Sequence, residues 1–90
     1  MNRHYHKVCD FIEVNYADVL DYGLMDDVLA NEYKASVEKL SYDKMGKDER
    51  ERLCGWLDVV ISQMVKCAKD NIAVGRKYPM FERFLERVEV

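Results

Sequence analysis

His4, His6 and Cys9 near the start of the chain come closest to a metal-binding pattern. Structural zinc sites use four ligands, commonly in C-x2–4-C or H-x3–5-H pairs. On a helix His6 and Cys9 would share a face, but His4 and His6 would diverge, and the missing ligands would have to come from Cys54 or Cys67. Two terminal histidines and a core thiol explain the pattern more simply. The sequence therefore predicts no metal and no cofactor.

The same residue types are also those of nucleophilic and acid–base catalysis. A Cys–His nucleophile needs an oriented base and an oxyanion hole, and no Gly-rich turn in the chain offers such a hole. Asp26 and Asp27 are adjacent, so their side chains point in different directions on a helix and do not form a catalytic pair. We therefore predict a protein that is not an enzyme.

Acidic residues are concentrated between Asp10 and Tyr33, where the chain has seven carboxylates and no Lys or Arg. The stretch from Lys66 to Arg87 has six bases and three acids. This segregation predicts a molecule with an acidic end and a weakly basic end, and oriented charge steers association and selects partners. The seven acids are Asp10, Glu13, Asp18, Asp21, Asp26, Asp27 and Glu32.

A solvated, solubilising face is the simplest alternative explanation of the acidic stretch. A surface of that kind normally mixes both signs, because like charges three or four residues apart on a helix repel each other. Asp18 with Asp21 and Asp10 with Glu13 are such pairs. Their presence favours a surface that binds a basic patch on another protein.

Tyrosines add contact area to the predicted surface, because Tyr combines a large rigid ring with a polar tip and is enriched at interfaces. Tyr16 and Tyr33 fall on apolar stripes and are predicted to lie in the core. Tyr22 and Tyr42 are predicted to be exposed. The residues of the predicted acidic partner-binding surface are Asp18, Asp21, Tyr22, Asp26 and Asp27.

Length and composition restrict the remaining classes. Ninety residues with 49% apolar side chains, one Pro and four Gly indicate one globular domain. No apolar run approaches the ~18 residues of a membrane span, and the start of the chain lacks the apolar region of a signal peptide. Three cysteines without paired spacing are typical of reduced thiols. We therefore predict a soluble cytoplasmic protein with no membrane contact.

Helical periodicity predicts an all-α fold, a compact bundle of four to six helices in a single domain covering residues 1–90. No stretch alternates with a period of two, so no strand is predicted. The clearest amphipathic stripe runs from Leu53 to Ile72. Asp48 is the predicted N-cap of this helix, with Glu51 as the other half of a capping box, and Gly75 is its predicted end.

The first half of the chain is divided by Gly23. A helix is predicted from Arg3 to Leu20, and Phe11 lies off its stripe, which requires burial over a wide arc or a bend. Gly23 marks the break or C-cap after this helix. Residues 24–40 fit one helical stripe, but residues 28–31 could instead connect two short helices.

Glycine and proline mark the other boundaries. A loop is predicted over residues 41–47 with Gly46 as its hinge, and Pro79 is predicted to open a short last helix. Gly55 costs about 1 kcal/mol relative to Ala inside the long helix. Its position beside Trp56 suggests that another helix approaches closely there.

Four runs follow one another along the chain: ADVLDYGLMDDVL from Ala17, VEKL from Val37, ERERLCGWL from Glu49 and FERFL from Phe81. Their order and apolar spacing resemble a caspase-recruitment (CARD-type) domain of the death-fold superfamily over nearly the whole chain. The resemblance implies a six-helix, non-enzymatic module that pairs an acidic surface with a basic one on another domain of its kind. It implies Asp18, Asp21, Asp26 and Asp27 as the acidic surface, and Arg3, Lys7, Arg50 and Arg52 as the basic one.

Two other functions remain open on the sequence. A small free-standing acidic inhibitor that occludes a basic or nucleic-acid-binding site on its target fits the length and charge equally well. A nucleic-acid-binding domain is the other alternative, although the net charge of −3 and pI near 5.3 make nucleic acid an unlikely partner. The nucleic-acid-binding surface would consist of Lys66, Lys69, Arg76, Lys77, Arg83 and Arg87, which are interspersed with Asp70, Glu82 and Glu86.

Overall fold

A computed structural model of the chain describes residues 5–42, 44–75 and 78–88. These residues contain five helices and no strand, which confirms the predicted all-α bundle. The helices are α1 (Tyr5–Val14), α2 (Tyr16–Asp21), α3 (Asp27–Leu40), α4 (Lys47–Ala73) and α5 (Pro79–Val88).

The long helix α4 organises the bundle. Its 27 residues extend over about 40 Å at 1.5 Å per residue, close to the longest dimension of the molecule, 44 Å. Helices α3 and α5 pack against α4, and α1 packs against α2, α3 and α5. Helices α3 and α5 therefore lie against α4, α1 packs onto both of them, and a single apolar core forms between the helices.

The predicted first helix is divided at Asn15 into α1 and α2. Both the backbone N–H and the side-chain amide of Asn15 donate to the carbonyl oxygen of Phe11, at 3.0 and 3.1 Å. A side chain that hydrogen-bonds its own backbone competes with helix propagation. The division explains why Phe11, off the predicted stripe, is buried beside Ile12. The predicted start at Arg3 lies outside the described residues.

Gly23 ends α2 as predicted. Its φ is +69°, a left-handed conformation that favours glycine. The N–H of Gly23 donates to the carbonyl of Leu20 (3.2 Å), and that of Leu24 donates to the carbonyl of Val19 (3.0 Å). This pair of bonds is a Schellman motif, and the buried side chains of Leu24 and Val19 accompany it. The motif turns the chain sharply into α3.

Residues 27–40 form one helix, which resolves the alternative that the sequence left open. The carboxylate of Asp26 accepts a hydrogen bond from the backbone N–H of Leu29 (2.7 Å) and caps the helix. An N-cap of this kind stabilises a helix by about 1 kcal/mol.

The predicted N-cap of α4 is wrong. The helix begins at Lys47, its N-cap is Gly46 in an extended conformation, and the carbonyl of Gly46 accepts from the N–H of Arg50 (2.9 Å). Asp48 therefore lies inside the first turn, where a capping box with Glu51 is not possible because a capping residue needs a non-helical backbone. Asp48 and Glu49 still face the positive end of the helix dipole.

The end of α4 and the start of α5 follow the prediction. Helix α4 ends at Ala73, and Gly75 after it has a φ of +86°. Helix α5 begins at Pro79, whose fixed φ and missing N–H suit the first helical position.

A hydrogen-bonded pair of tyrosines crosses the core. The hydroxyl of Tyr33 donates to the carbonyl of Tyr5 (3.3 Å). The hydroxyl of Tyr5 donates to the carboxylate of Asp58 (2.8 Å) and lies 3.2 Å from the carbonyl of Cys54. These contacts connect α1 with α3 and α4, and both tyrosine side chains are buried.

Gly55 does not accommodate a close helix approach, contrary to the interpretation from the sequence. The residue is exposed, and a β-carbon placed on it would meet no atom within 4 Å outside its own helix backbone. We expect Gly55→Ala to raise the free energy of unfolding by about 0.5–1 kcal/mol, because alanine loses less backbone entropy in a helix. A thermal melt should show a midpoint several degrees higher, on the order of 4 °C.

Gly23→Ala is the matched control for this substitution. It adds the same methyl group at a positive φ, where a β-carbon is strained, and it should lower the melting temperature. A lower melting temperature for Gly55→Ala would contradict the prediction.

Candidate interaction surface

The five acidic-surface residues predicted from the sequence flank a single connection between α2 and α3. Asp18 and Asp21 lie on the short helix α2 and Tyr22 is its C-cap, whereas Asp26 and Asp27 lie at the start of α3. All five are exposed to solvent. We call these five residues the acidic turn. The Schellman motif at Gly23 determines how closely the two groups of carboxylates approach each other.

Two of these acids contribute to the helix that they begin. Asp26 caps α3 through its bond to Leu29. The carboxylate of Asp27 accepts from the N–H of Val28 (2.9 Å) and lies in the first turn, where the helix dipole stabilises negative charge. The stability of α3 therefore explains the presence of both acids, and no binding partner has to be invoked for them.

Asp18 and Asp21 accept no such hydrogen bond among the described residues, although Asp18 lies in the first turn of α2, where the dipole favours negative charge. They lie three residues apart on α2, and Asp21 is its last residue, where the dipole disfavours negative charge. In the part of the chain that the structure describes, neither carboxylate has a hydrogen-bond or ion-pair partner. Their mutual repulsion and the position of Asp21 at the helix end slightly oppose folding, and both side chains are exposed to solvent.

Tyr22 is held in place by other aromatic side chains. Its ring stacks on Tyr78 with centroids 4.1 Å apart and an interplanar angle of 12°, and Tyr78 meets Phe81 edge-on at 5.5 Å. The side chain of Tyr22 is still 39% exposed. One face is therefore covered, and the rest of the ring is available in a fixed orientation. Tyr78 was missed from the sequence because the stack joins residues 56 positions apart.

The other predicted aromatic positions agree with the structure except for one detail. Tyr33 is buried, as predicted, whereas Tyr16 is only partly buried against the core, with the ammonium of Lys34 5.2 Å from its ring centroid. Tyr42 is exposed, and its hydroxyl donates to the carboxylate of Glu38 (3.3 Å).

The predicted basic residues Arg50 and Arg52 have different surroundings. The guanidinium of Arg50 donates to the carbonyls of Leu40 and Tyr42, both at 3.4 Å. It thereby satisfies carbonyl groups at the end of α3, which makes Arg50 a structural residue. Arg52 is exposed. Of the further bases implied by the resemblance, Lys7 is exposed and Arg3 lies outside the described residues.

The predicted separation into an acidic and a basic end is not seen at the acidic turn. The thiol of Cys67 donates to the carbonyl of Gly23 (3.6 Å), and Tyr22 stacks on Tyr78. Both contacts join the acidic stretch to the stretch between residues 66 and 87. At the far end of α5, the guanidinium of Arg87 lies 6.0 Å from the ring centroid of Phe11. The two stretches are neighbours because α5 folds back onto α1.

The three cysteines are free thiols, each partly buried. Burial raises the pKa of the Cys9 thiol above its ordinary value, the charges of Glu13 and Asp10 raise it further, and Lys34 opposes them. A thiol of this kind is a weak nucleophile at neutral pH. Within the described residues no group of three His, Cys, Asp or Glu side chains has the arrangement of a metal site. His4 lies outside those residues.

The bases considered for nucleic-acid binding are only partly described. Lys66, Lys69, Arg83 and Arg87 are exposed, and Arg76 and Lys77 lie outside the described residues. The acids interspersed with them, Asp70, Glu82 and Glu86, are exposed as well. Negative side chains on the same surface repel phosphate groups, which disfavours this alternative.

A groove between α3 and the first half of α4 was not predicted. It consists of three adjoining open concavities, and Lys39 lines all of them. Its apolar surface comes from Met45, Leu53 and Trp56. Leu53 and Trp56 were counted among the core positions because they lie on the apolar stripe of α4. The structure buries them only partly, so each contributes both to the core and to this groove.

Comparisons of the chain with protein families, with characterised proteins and with solved structures return no match. Among the described residues, no helix has the length and apolar character needed to cross a membrane.

Proposed function

We propose that this chain is a non-catalytic protein-interaction module of the cytoplasm that docks its acidic turn onto a basic surface of another protein. The observation that carries the proposal is the pair Asp18 and Asp21. Both carboxylates are exposed on α2 and lack partners among the described residues. They lie three residues apart and repel each other, and Asp21 is also at the negative end of the helix dipole. Charges that cost stability without a structural return are typical of binding surfaces.

Docking would proceed in two stages. The carboxylates attract a basic surface over roughly a Debye length, ~8 Å at physiological ionic strength, and align it with the turn. The exposed part of Tyr22 then supplies buried contact area, and its stack on Tyr78 reduces the entropy that binding must remove. Association should therefore weaken as salt concentration increases.

Two forms of this module are consistent with the proposed surface. One is an adaptor of the death-fold type, whose partner is a related helical domain. The other is a free-standing inhibitor that covers a basic or nucleic-acid-binding site on its target. The identity of the captured partner distinguishes them, because a related helical domain supports the adaptor and a nucleic-acid-binding protein supports the inhibitor.

The double substitution Asp18→Lys with Asp21→Lys tests the proposal. We expect partner affinity to fall at least tenfold, because two attractive charges become repulsive. The melting temperature should change by only a few degrees, because both residues are exposed. Lysine suits the helix end at position 21, and this gain offsets its less favourable place in the first turn at position 18. Affinity capture from host extract followed by mass spectrometry, with the wild-type chain in parallel, identifies proteins that the variant loses.

Asp10→Lys with Glu13→Lys is the matched control. This pair has the same spacing and the same change of net charge, is equally exposed, and lies on α1 outside the acidic turn. The control should retain the partners of the wild-type chain. If the variant at Asp18 and Asp21 retains the same partners with unchanged affinity, the acidic turn is not the binding surface.

A further inference from the structure

The groove between α3 and α4 has an apolar floor that the core does not fully use. Met45, Leu53 and Trp56 pack partly against neighbouring side chains and leave their outer surfaces in the groove. Trp and Met are enriched in the buried centres of protein interfaces. A partly exposed floor of this composition suits contact with apolar side chains of another molecule.

The rim of the groove carries a small net positive charge, with bases on both of its walls. Lys39, Lys44 and Arg52 line it, against one carboxylate from Glu49 at the same end. Glu32 lies at the opposite end. The positive end of the α4 dipole, which begins at Lys47, adds to this field. The rim is therefore complementary to a ligand with carboxylates on either side of an apolar strip.

The groove is shaped for an extended occupant. Its concavities measure about 390, 290 and 280 Å³ and open to solvent along one side. Sites for small molecules enclose most of the ligand, which this groove does not. From Glu32 to Lys39 it follows α3 for about 10 Å, a length that suits about two turns of a docked helix.

We propose that this groove binds an acidic amphipathic helical segment of another protein. Large apolar side chains of the segment would contact Trp56, Leu53 and Met45. Its carboxylates would pair with Lys39 and Arg52 on the two walls.

This surface is separate from the acidic turn. Arg52 and Cys67, which contacts the acidic turn, are 15 residues apart on α4, which corresponds to about 22 Å along the helix axis. The two surfaces have opposite charge and share no residue. One chain could therefore hold a basic partner at the acidic turn and an acidic segment in the groove.

Trp56 makes the proposal directly measurable, because it is the single tryptophan of the chain. The probe is a helical peptide of about 15 residues, with Leu at positions i, i+3, i+4 and i+7 and Glu elsewhere. We expect a saturable change in Trp56 fluorescence that weakens with added salt. Lys39→Glu with Arg52→Glu should weaken peptide binding at least tenfold, and Glu49→Gln should strengthen it.

Two controls make the result specific. The same peptide with Lys in place of Glu should not bind, and Asp18→Lys with Asp21→Lys should leave affinity for the acidic peptide within about twofold. Circular dichroism checks that the groove variants remain folded, since Lys39 and Arg52 are exposed.

Three outcomes would overturn the proposal. The first is no saturable change up to about 1 mM peptide. The second is equal binding of the acidic and basic peptides, or unchanged affinity after Lys39→Glu with Arg52→Glu. The third is a wild-type dimer in sedimentation analysis that this variant abolishes, which would assign the groove to a second copy of the chain.

Discussion

Phe84→Ala is expected to destabilise the protein by about 3–5 kcal/mol. Phe84 on α5 is fully buried, and its ring lies 5.2 Å from that of Phe11 on α1 at an interplanar angle of 55°. Removing the ring leaves a cavity where α5 contacts the core and also ends the aromatic contact, which contributes about 1 kcal/mol beyond burial. A domain of this size has only about 5–13 kcal/mol of stability, so α5 should lose much of its docking energy.

Urea denaturation followed by circular dichroism measures this effect. Val59→Ala is the control, because Val59 is an aliphatic residue of α4 that is 55% exposed, and its truncation should change stability by at most about 0.5 kcal/mol. If Phe84→Ala does not fold, Phe84→Leu keeps most of the volume and should show a smaller loss in the same direction. A loss below about 1 kcal/mol for Phe84→Ala would contradict the packing of α5 on α1.

Alkaline pH is expected to unfold the protein through its two buried tyrosines. Burial is the main cause that raises the pKa of Tyr33 above the ordinary value of 10.0. Burial also raises the pKa of Tyr5, and the hydrogen bond to the Asp58 carboxylate raises it further. Each phenol is therefore neutral in the folded chain at a pH where the unfolded chain has already ionised.

Because both folded-state pKa values are raised, increasing pH lowers the free energy of unfolding. The folded-state pKa values lie above the unfolded value, so stability from these residues is complete below about pH 10 and falls as pH rises further. Unfolding should release about two protons per molecule from Tyr5 and Tyr33 above pH 10. The Cys9 thiol, with a pKa raised above its ordinary value of 9.0, adds a similar dependence that begins at lower pH.

The pH dependence of unfolding free energy between pH 9 and 12 tests this prediction, with the slope as the readout. Tyr5→Phe and Tyr33→Phe should each reduce the slope above pH 10 by about one proton, whatever their effect on stability at neutral pH. Tyr42→Phe is the control, because Tyr42 is exposed and its removal should leave the slope unchanged. A slope that neither core substitution alters would refute the role of the buried tyrosines.

The structure brings the acidic stretch of the sequence next to the stretch that has more bases than acids. As a sequence feature it suggested one acidic end opposite one basic end. In the fold, Cys67 and Tyr78 contact the acidic turn. A separate group of bases lies around the groove between α3 and α4, with Lys39 on α3, Lys44 in the loop and Arg52 on α4. Within the acidic turn, Asp18 and Asp21 are the two carboxylates that accept no hydrogen bond among the described residues, so the binding hypothesis now rests on these two residues.

Local chemistry determined the features that the sequence predicted correctly. Apolar spacing of three and four residues was sufficient for the helices, because a helix must bury its apolar stripe. Gly23, Gly75 and Pro79 marked helix boundaries because each has a backbone preference that does not depend on the rest of the fold. The exposure of the five acidic-turn residues was predicted on the same local grounds.

Tertiary structure alone decided the features that depend on residues distant in sequence or on competition between neighbouring groups. The sequence predicted Asp48 as the N-cap of α4, but the helix begins after Gly46. Arg50 became a cap for α3 only because the loop brings the two helix ends together. The Tyr22–Tyr78 stack and the groove beside Trp56 exist because α5 and α3 pack on opposite parts of α4, and helical periodicity carries no information about which elements meet.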